Sequence, residues 1–430
     1  MLLAIALIVL GVLIVGVVVW LALRRPPGSG TLNGGASNGG LNEGPFRRVK
    51  PPPTDVSTFR VVALGLSGAG KTTLLATQFN AFSDLGNRGY FFDGDYGQDK
   101  DLAAIFVELK DTQKPWPTGT HRGDTREYRF DCKVRDAAVG ERTVFGLSYL
   151  DYAGELLEAG EEHAAKGRME TQAKNAHALL LVLDGRQVLG LLCGDDEAVD
   201  YFDRRMRPLF GLVRRASCPV QLIITKWDLV RSWTEAPETE DELLKTVGRR
   251  LMEFGHIELL VDAPDHRHRS VRLIPVSAVG RRFADLDEHG KVVKRRGGTI
   301  EPIHIDIPLS AVLPDVLQHA EEELDRVLSD NAHADFRRKF NNVAMVTASV
   351  LDSRAGRVLR SALVARIGEE AVRLFIEMLG DGASKRSQAA LEDHEAETRR
   401  LRAKVVEDMR LVVRIFERDL PSSNLRRKWD

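Results

Sequence analysis

The chain has 430 residues, 43% of them hydrophobic, and its 61 Lys and Arg against 62 Asp and Glu leave a formal net charge of -1. That length accommodates two or three domains with a buried core, and so even a balance excludes a global field that would draw nucleic acid or anionic lipid. Three cysteines, Cys132, Cys193 and Cys218, lie far apart without metal or disulfide spacing, and are expected as small apolar fillers in a reducing compartment.

Leu2 to Leu23, LLAIALIVLGVLIVGVVVWLAL, carries no charge and is long enough to cross a hydrocarbon core of about 30 Å as a helix. Trp20 sits near one end, where an indole favours the interface, and Arg24 and Arg25 follow at once. A cleaved leader fits less well: no basic stretch precedes the run, no small-x-small site precedes the arginines, and the run is too long. Residues 1–23 are therefore expected to be a single-pass transmembrane anchor in the cell membrane, with the rest of the chain in the cytoplasm. Residues 24–58 are rich in Gly, Pro, Asn and Ser, as in PPGSGTLNGGASNGGLNEGP, and bury too little apolar surface to order themselves. They are expected to be a flexible linker.

The soluble part opens on FRVVALGLSGAGKTTLLATQF, Phe59 to Phe79, where an apolar strand pattern stops at Gly65 and Gly70-Lys71-Thr72 begins a helical one. The spacing is G-x-x-x-x-G-K-[ST]. Backbone N–H groups that face inward around phosphates need the geometry and close approach that Gly65, Gly68 and Gly70 allow. The following helix adds the positive end of its dipole. Lys71 is expected on the β- and γ-phosphates and the Thr72 hydroxyl on Mg²⁺. Gly65, Ser67, Gly68, Ala69, Gly70, Lys71, Thr72 and Thr73 form the predicted nucleotide-binding loop. It calls for a nucleoside triphosphate and leaves the base open.

Lys100 to Lys110 (KDLAAIFVELK) reads as a helix within the long interval from Gln78 to Pro117. Glu127 to Val134 and Thr143 to Leu150 read as strands, the second ending in Asp151-Tyr152-Ala153-Gly154-Glu155. Asp-x-x-Gly at a strand end brings the Asp151 carboxylate to the Mg²⁺ shell and the Gly154 N–H to a γ-phosphate. His177 to Leu183 and Val220 to Ile224 are apolar runs suited to buried parallel strands, and the second leads into Thr225-Lys226-Trp227-Asp228. The Asp228 carboxylate can accept from both guanine N1–H and the exocyclic amino group. Adenine offers no such pair, so the wrong base would leave a buried charge unpaired. The aliphatic stem of Lys226 can cover the purine face. Arg272 to Gly280 (RLIPVSAVG) reads as a strand ending in Ser277-Ala278, whose backbone could bond guanine O6.

Together GLSGAGKT, DYAG, TKWD and VSAVG resemble the P-loop GTPases of the Ras-like and translation-factor (TRAFAC) class over residues 59–326. More narrowly, the apolar N-terminus, the long insertion, WPTGT, DYAGE and IHIDIPLSAVLP are similar to bacterial membrane-anchored double-GTPase-type proteins. The resemblance implies an α/β fold with a doubly wound, mostly parallel sheet, and the nucleotide at the carboxyl ends of its strands. It also implies a GTP/GDP switch cycle with Mg²⁺, in which the γ-phosphate orders two loops and hydrolysis releases them.

Three departures from the family pattern bear on function. Thr225 stands where the family usually has Asn, which replaces an amide by a hydroxyl and implies weaker base affinity. Glu155 stands where Ras-like proteins usually carry a water-orienting Gln. Its charge beside the γ-phosphate is unfavourable and implies slow hydrolysis, or a GTP-dependent adaptor that scarcely turns over; an ATPase or kinase is the more distant alternative. The interval from Gln78 to Pro117 is far longer than a Ras-like first switch, and the family analogy asks for a Thr before the second strand to complete the Mg²⁺ shell. Thr118, Thr120 and Thr125 qualify, with Thr120 preferred; Arg122 and Arg126 lie near but neither is assignable as a charge stabiliser.

Beyond Ile303 a closing element runs into a helix, and residues 327–430 are expected to be a helical C-terminal module. Leu401, Val405, Met409, Val412 and Phe416 share one helical face. The stretch Ala362 to Leu379 is too charged to span a membrane. These helices are expected to pack on themselves or on the GTPase domain, or else to present a surface to a protein effector or a second GTPase. Asp265 to Arg269 (DHRHR) reads as a wet loop.

Overall fold

The computed structural model describes residues 56–83, 86, 88–94, 96–117, 125–136, 140–152, 163–262, 269–289, 291–329, 351, 356–380 and 391–426. The expected anchor, the expected linker up to residue 55, Thr118, Thr120, Arg122, Gly154 and Glu155 lie outside these residues. The last three linker positions do not, and correct its end, since Ser57 is buried and Thr58 opens the first strand. Among the described residues no helix is long and apolar enough to cross a membrane.

The strands are β1 (Thr58–Leu64), β2 (Phe91–Gly94), β3 (Thr125–Asp136), β4 (Gly140–Tyr152), β5 (Ala178–Leu183), β6 (Val220–Ile224) and β7 (Val271–Pro275). They form a seven-stranded sheet in the order β2-β3-β4-β1-β5-β6-β7. The β4-β1, β1-β5, β5-β6 and β6-β7 pairs are parallel. The β2-β3 and β3-β4 pairs are antiparallel. This is the mostly parallel α/β sheet of a P-loop GTPase fold. A separate hairpin pairs β8 (Ala284–Leu286) with β9 (Val292–Lys294).

Composition explains the two halves of the sheet. The six residues of β5, ALLLVL, and the five of β6, VQLII, are all buried, as strands covered by helices on both faces must be. By contrast β3 alternates exposed and buried positions along most of its length, the pattern of a strand with one solvated face. The short strand β2 was not expected. Its four residues, FFDG, are too few to show a period, and they are fixed by pairing with β3.

The strand read over Arg272–Gly280 stops earlier than expected, at Pro275. From there the chain turns, with Ser277 in an isolated antiparallel bridge to Ile303. A single apolar cluster runs from Phe59 to Leu425, and the helix Ile307–Ser329 passes through the boundary drawn at residue 326. The last long helix, Leu391–Asp419, packs on that helix and on β4. Its buried face holds Leu401, Val405, Met409 and Phe416, joined by Val406 and Val413, while Val412 is only half-buried. Arg272 on β7 ties the layers together. Its guanidinium donates to Asp315 at 2.7 Å and also pairs with Glu417.

Arg269 corrects the reading of a wet loop at its own position. It is buried, and its guanidinium donates to the carbonyls of Val213 (3.0 Å), Ala216 (2.6 Å) and Leu260 (3.2 Å). Cys193 is exposed and fills no core position, whereas Cys132 and Cys218 are buried.

Candidate nucleotide-binding site

The loop between β1 and the helix Lys71–Phe82 is shaped by two glycines for different reasons. At Gly65 a Cβ would stand 2.7 Å from the Val182 carbonyl oxygen, so only a residue without one lets the loop pass this close to β5. At Gly70, φ is 89°, a left-handed conformation that turns the chain into the helix and strains any other residue. The Lys71 side chain is buried and lies back along the loop, donating to the carbonyls of Gly65 (2.8 Å) and Leu66 (3.2 Å).

At the next residue, the Thr72 hydroxyl donates to Asp151 Oδ2 at 3.2 Å. The two residues are 79 positions apart in sequence, and the β1-β4 pairing brings them together by placing Asp151 opposite Ala63. A hydroxyl and a carboxylate at the head of a phosphate loop are hard oxygen donors of the kind Mg²⁺ takes. Thr125, the remaining candidate for the first switch among the described residues, opens β3 opposite Tyr152. Arg126 is its neighbour, paired across the strands with Asp151.

The second corner follows β6. Lys226 is left-handed, with φ 51°, and its ammonium reaches the Gly68 carbonyl (2.9 Å) and both carboxylate oxygens of Asp184 (2.8 Å each). Asp184 was missed in the sequence. Its signal was a strand-end Asp-Gly after β5, and the same carboxylate caps the next helix by accepting from the Arg186 N–H at 2.9 Å. The Thr225 hydroxyl faces the Ala69 carbonyl (2.7 Å) and the Leu183 carbonyl (3.1 Å). It ties the base corner to the phosphate loop.

Asp228 is buried, and its Oδ1 accepts from the Ser277 hydroxyl at 2.5 Å. Burial pushes its carboxyl above the ordinary carboxylate range, partly offset by the Ser277 bond. Ser277 Oγ in turn accepts from the Gly280 N–H at 2.8 Å. The Ser277 backbone N–H and carbonyl are taken by Ile303, at 3.1 and 2.9 Å. Thus the Ser277 backbone is occupied and its side chain is spent on Asp228, while Ala278 lines the cavity beside them. Trp227 is fully buried and donates its indole N–H to Glu240 at 2.6 Å.

These corners enclose one cavity of about 490 Å³, lined from the phosphate loop by Ser67, Gly68, Gly70, Lys71, Thr72 and Thr73. From the base corner come Thr225, Lys226, Asp228, Ser277 and Ala278. Its volume is within the about 300–1,000 Å³ usual for small-molecule sites. Trp116, Ala284, Lys291 and Val292 also line it; Trp116 was quoted only as part of WPTGT, with no role in the site, and the other three were not singled out in the sequence.

A phosphate loop and a strand-end carboxylate facing one cavity at the carboxyl edge of a mostly parallel sheet define a P-loop GTPase. Residues 60–272 match the family Double-GTPase 2, and the chain resembles the double-GTPase proteins. The match ends before Ser277 and before the β8–β9 hairpin. No curated protein sequence matches the chain.

Among solved structures the chain is similar to the signal recognition particle receptor SRb-GTP/SRX complex from Chaetomium thermophilum, at 16% identity and TM-score 0.31 over 52% of this chain and 91% of that one. It is also similar to sup35 complexed with GDP, at 15% identity and TM-score 0.26 over 52% of this chain and 38% of that one. The Arl6 BBS3 small GTPase from Trypanosoma brucei, with bound GppNp, is 14% identical with TM-score 0.23 over 51% of this chain and 87% of that one. Likeness at this level transfers no residue role.

Proposed function

We propose that the protein binds Mg-GTP, hydrolyses it slowly to GDP, and signals to a protein partner through loops that respond to the γ-phosphate. The observation that carries this reading is the shared cavity of Lys71 and Asp228. One residue type suits phosphate charge, and the other is a buried carboxylate suited to a base with two adjacent donors.

In this reading Lys71 leaves the loop carbonyls for the β- and γ-phosphate oxygens, which are stronger acceptors because they are charged. Thr72 and Asp151 would hold Mg²⁺, which when bound neutralises charge on those oxygens. Thr120 is the proposed further ligand from the first switch. Water attacks the γ-phosphorus, the β–γ bridge breaks, and GDP and inorganic phosphate leave. Gly154 is placed by its motif to donate a backbone N–H to the γ-phosphate, and Glu155 to position water. The Glu155 charge beside that phosphate keeps the intrinsic rate low.

The apolar run Leu2–Leu23 supports a tether to the cell membrane with this domain on the cytoplasmic side. The C-terminal helices are a candidate surface for an effector or a second GTPase.

Affinities of the full chain for GTP, ATP and xanthosine triphosphate test the base assignment. GTP should bind best, and equal affinity for ATP would end the reading. Single-turnover hydrolysis then tests Glu155. A rate unchanged by Glu155→Ala removes it from the mechanism, and phosphate release that never exceeds background favours the adaptor instead.

A further inference from the structure

We propose that Trp116 and the β8–β9 hairpin form the outer wall of the base end of this site, and that the wall sets how slowly a purine nucleotide leaves. The inference rests on the nucleotide reading above and adds residues to which that reading gives no role.

Trp116, Ala284 and Val292 line the same cavity as Asp228 and Ala278. They supply an aromatic and aliphatic surface, suited to a purine face and unsuited to phosphate. The Trp116 indole N–H donates to the Val292 carbonyl at 2.8 Å, and its ring meets Phe283 edge-on, with centroids 6.1 Å apart. The Lys294 ammonium stands 5.4 Å from the centre of the Trp116 ring. It also donates to the carbonyls of Glu108 and Asp111 at 2.9 Å each. A single lysine thus fastens the hairpin both to the indole and to the end of the helix Tyr96–Lys110.

The wall is continuous with the base-reading turn. Val279 and Phe283 are buried with Leu109 and Ala284 in a small apolar cluster separate from the main core, and Ala278, Trp116 and Val292 pack around it. A satellite cluster of this size can open without unfolding the domain. While it is closed it keeps water from the purine, which sharpens the discrimination exerted by the buried Asp228 carboxylate.

The competing account makes Trp116 a filler of that cluster with no contact to nucleotide. The two differ in what a purine feels and a bare phosphate chain does not. The test uses the full chain loaded with GDP carrying a fluorescent N-methylanthraniloyl group on its ribose, chased with unlabelled GDP. Trp116→Ala is expected to speed release at least about tenfold. Trp116→Phe, which keeps apolar cover, should speed it less than about threefold, and Lys294→Met should fall between. Inorganic tripolyphosphate, with no purine to cover, should compete equally well for the wild type and for Trp116→Ala.

Release from Trp116→Ala within twofold of the wild type overturns the proposal. So does a parallel loss of tripolyphosphate binding, which would mark general loosening. If Trp116→Ala does not fold by circular dichroism and thermal unfolding, Lys294→Met decides by the same twofold criterion. A wild type that binds no guanine nucleotide, or an Asp228→Asn variant that does not move toward xanthine, would instead overturn the underlying site reading.

Discussion

The two ends of the nucleotide cavity are built from different materials. At the phosphate end the backbone is the reagent: Gly65 is forced by the Val182 carbonyl and Gly70 by a positive φ, and the loop presents amides and a helix end. At the base end the side chains are the reagents, with Gly280 N–H holding Ser277 Oγ, and Ser277 holding Asp228. A backbone cradle recognises charge and geometry common to every nucleoside triphosphate. A relayed carboxylate recognises where two donors sit on one base. Changes at the first end should therefore weaken all nucleotides together, and changes at the second should re-rank them.

The largest effect is expected at Lys71. Removing its ammonium by Lys71→Ala should weaken GTP and ATP alike by at least about 100-fold, since charge-assisted bonds contribute about 1.5–3 kcal/mol each. Titration with both nucleotides checks this, and a loss confined to GTP would erase the division between the two ends. Asp228→Asn comes next. GTP should weaken about 30- to 100-fold while xanthosine triphosphate gains, because the amide can donate to the xanthine oxygen that replaces the amino group of guanine. Equal losses for both bases would mean that Asp228 only supports the fold.

Protonation offers a milder version of the same change. Burial raises the Asp228 pKa above its ordinary value. Its folded-state contribution to stability is thus present in acid and is lost as pH rises through the raised pKa. Guanine needs the carboxylate, so GTP affinity should run the other way. It should fall by up to about tenfold per pH unit on the acid side of that pKa, and the dependence should vanish in Asp228→Asn. A pH-independent GTP affinity in the wild type would place the charged carboxylate outside the base contact.

What the sequence made legible divides along the same line. The glycine spacing, the Lys71-Thr72 pair and the runs of β5 and β6 are local patterns, and local patterns survive in one dimension. Thr72 and Asp151 were each read from a local motif as belonging beside one ion, and the sheet does bring them into contact. What escaped depended on long-range packing. Asp184 becomes part of the site only when Lys226 bends back on a left-handed backbone. Trp116 enters it only because a hairpin 176 residues later offers the carbonyl of Val292. Ser277 was placed in the right turn but given its backbone role, since nothing local reveals that Ile303 occupies its N–H.

Thr225 is where the comparison is sharpest and the expected effect smallest. Its place in the base motif suggests that it touches the base, with a hydroxyl poorer than an amide at that task. The geometry gives its hydroxyl to the Ala69 and Leu183 carbonyls instead, so it braces the phosphate loop from the side of the base. Thr225→Ala removes the brace on Ala69, while the Thr225 backbone N–H keeps its 3.0 Å bond to Leu183. One buried neutral hydrogen bond contributes about 1 kcal/mol. GTP and ATP should each weaken about fivefold, and the midpoint of thermal unfolding should drop by about 2 °C. Because the brace acts on the loop and not on the purine, the ratio of GTP to xanthosine triphosphate affinity should not move. A changed ratio would return Thr225 to the base contact, and the two ends of the cavity would then share a residue that reads both.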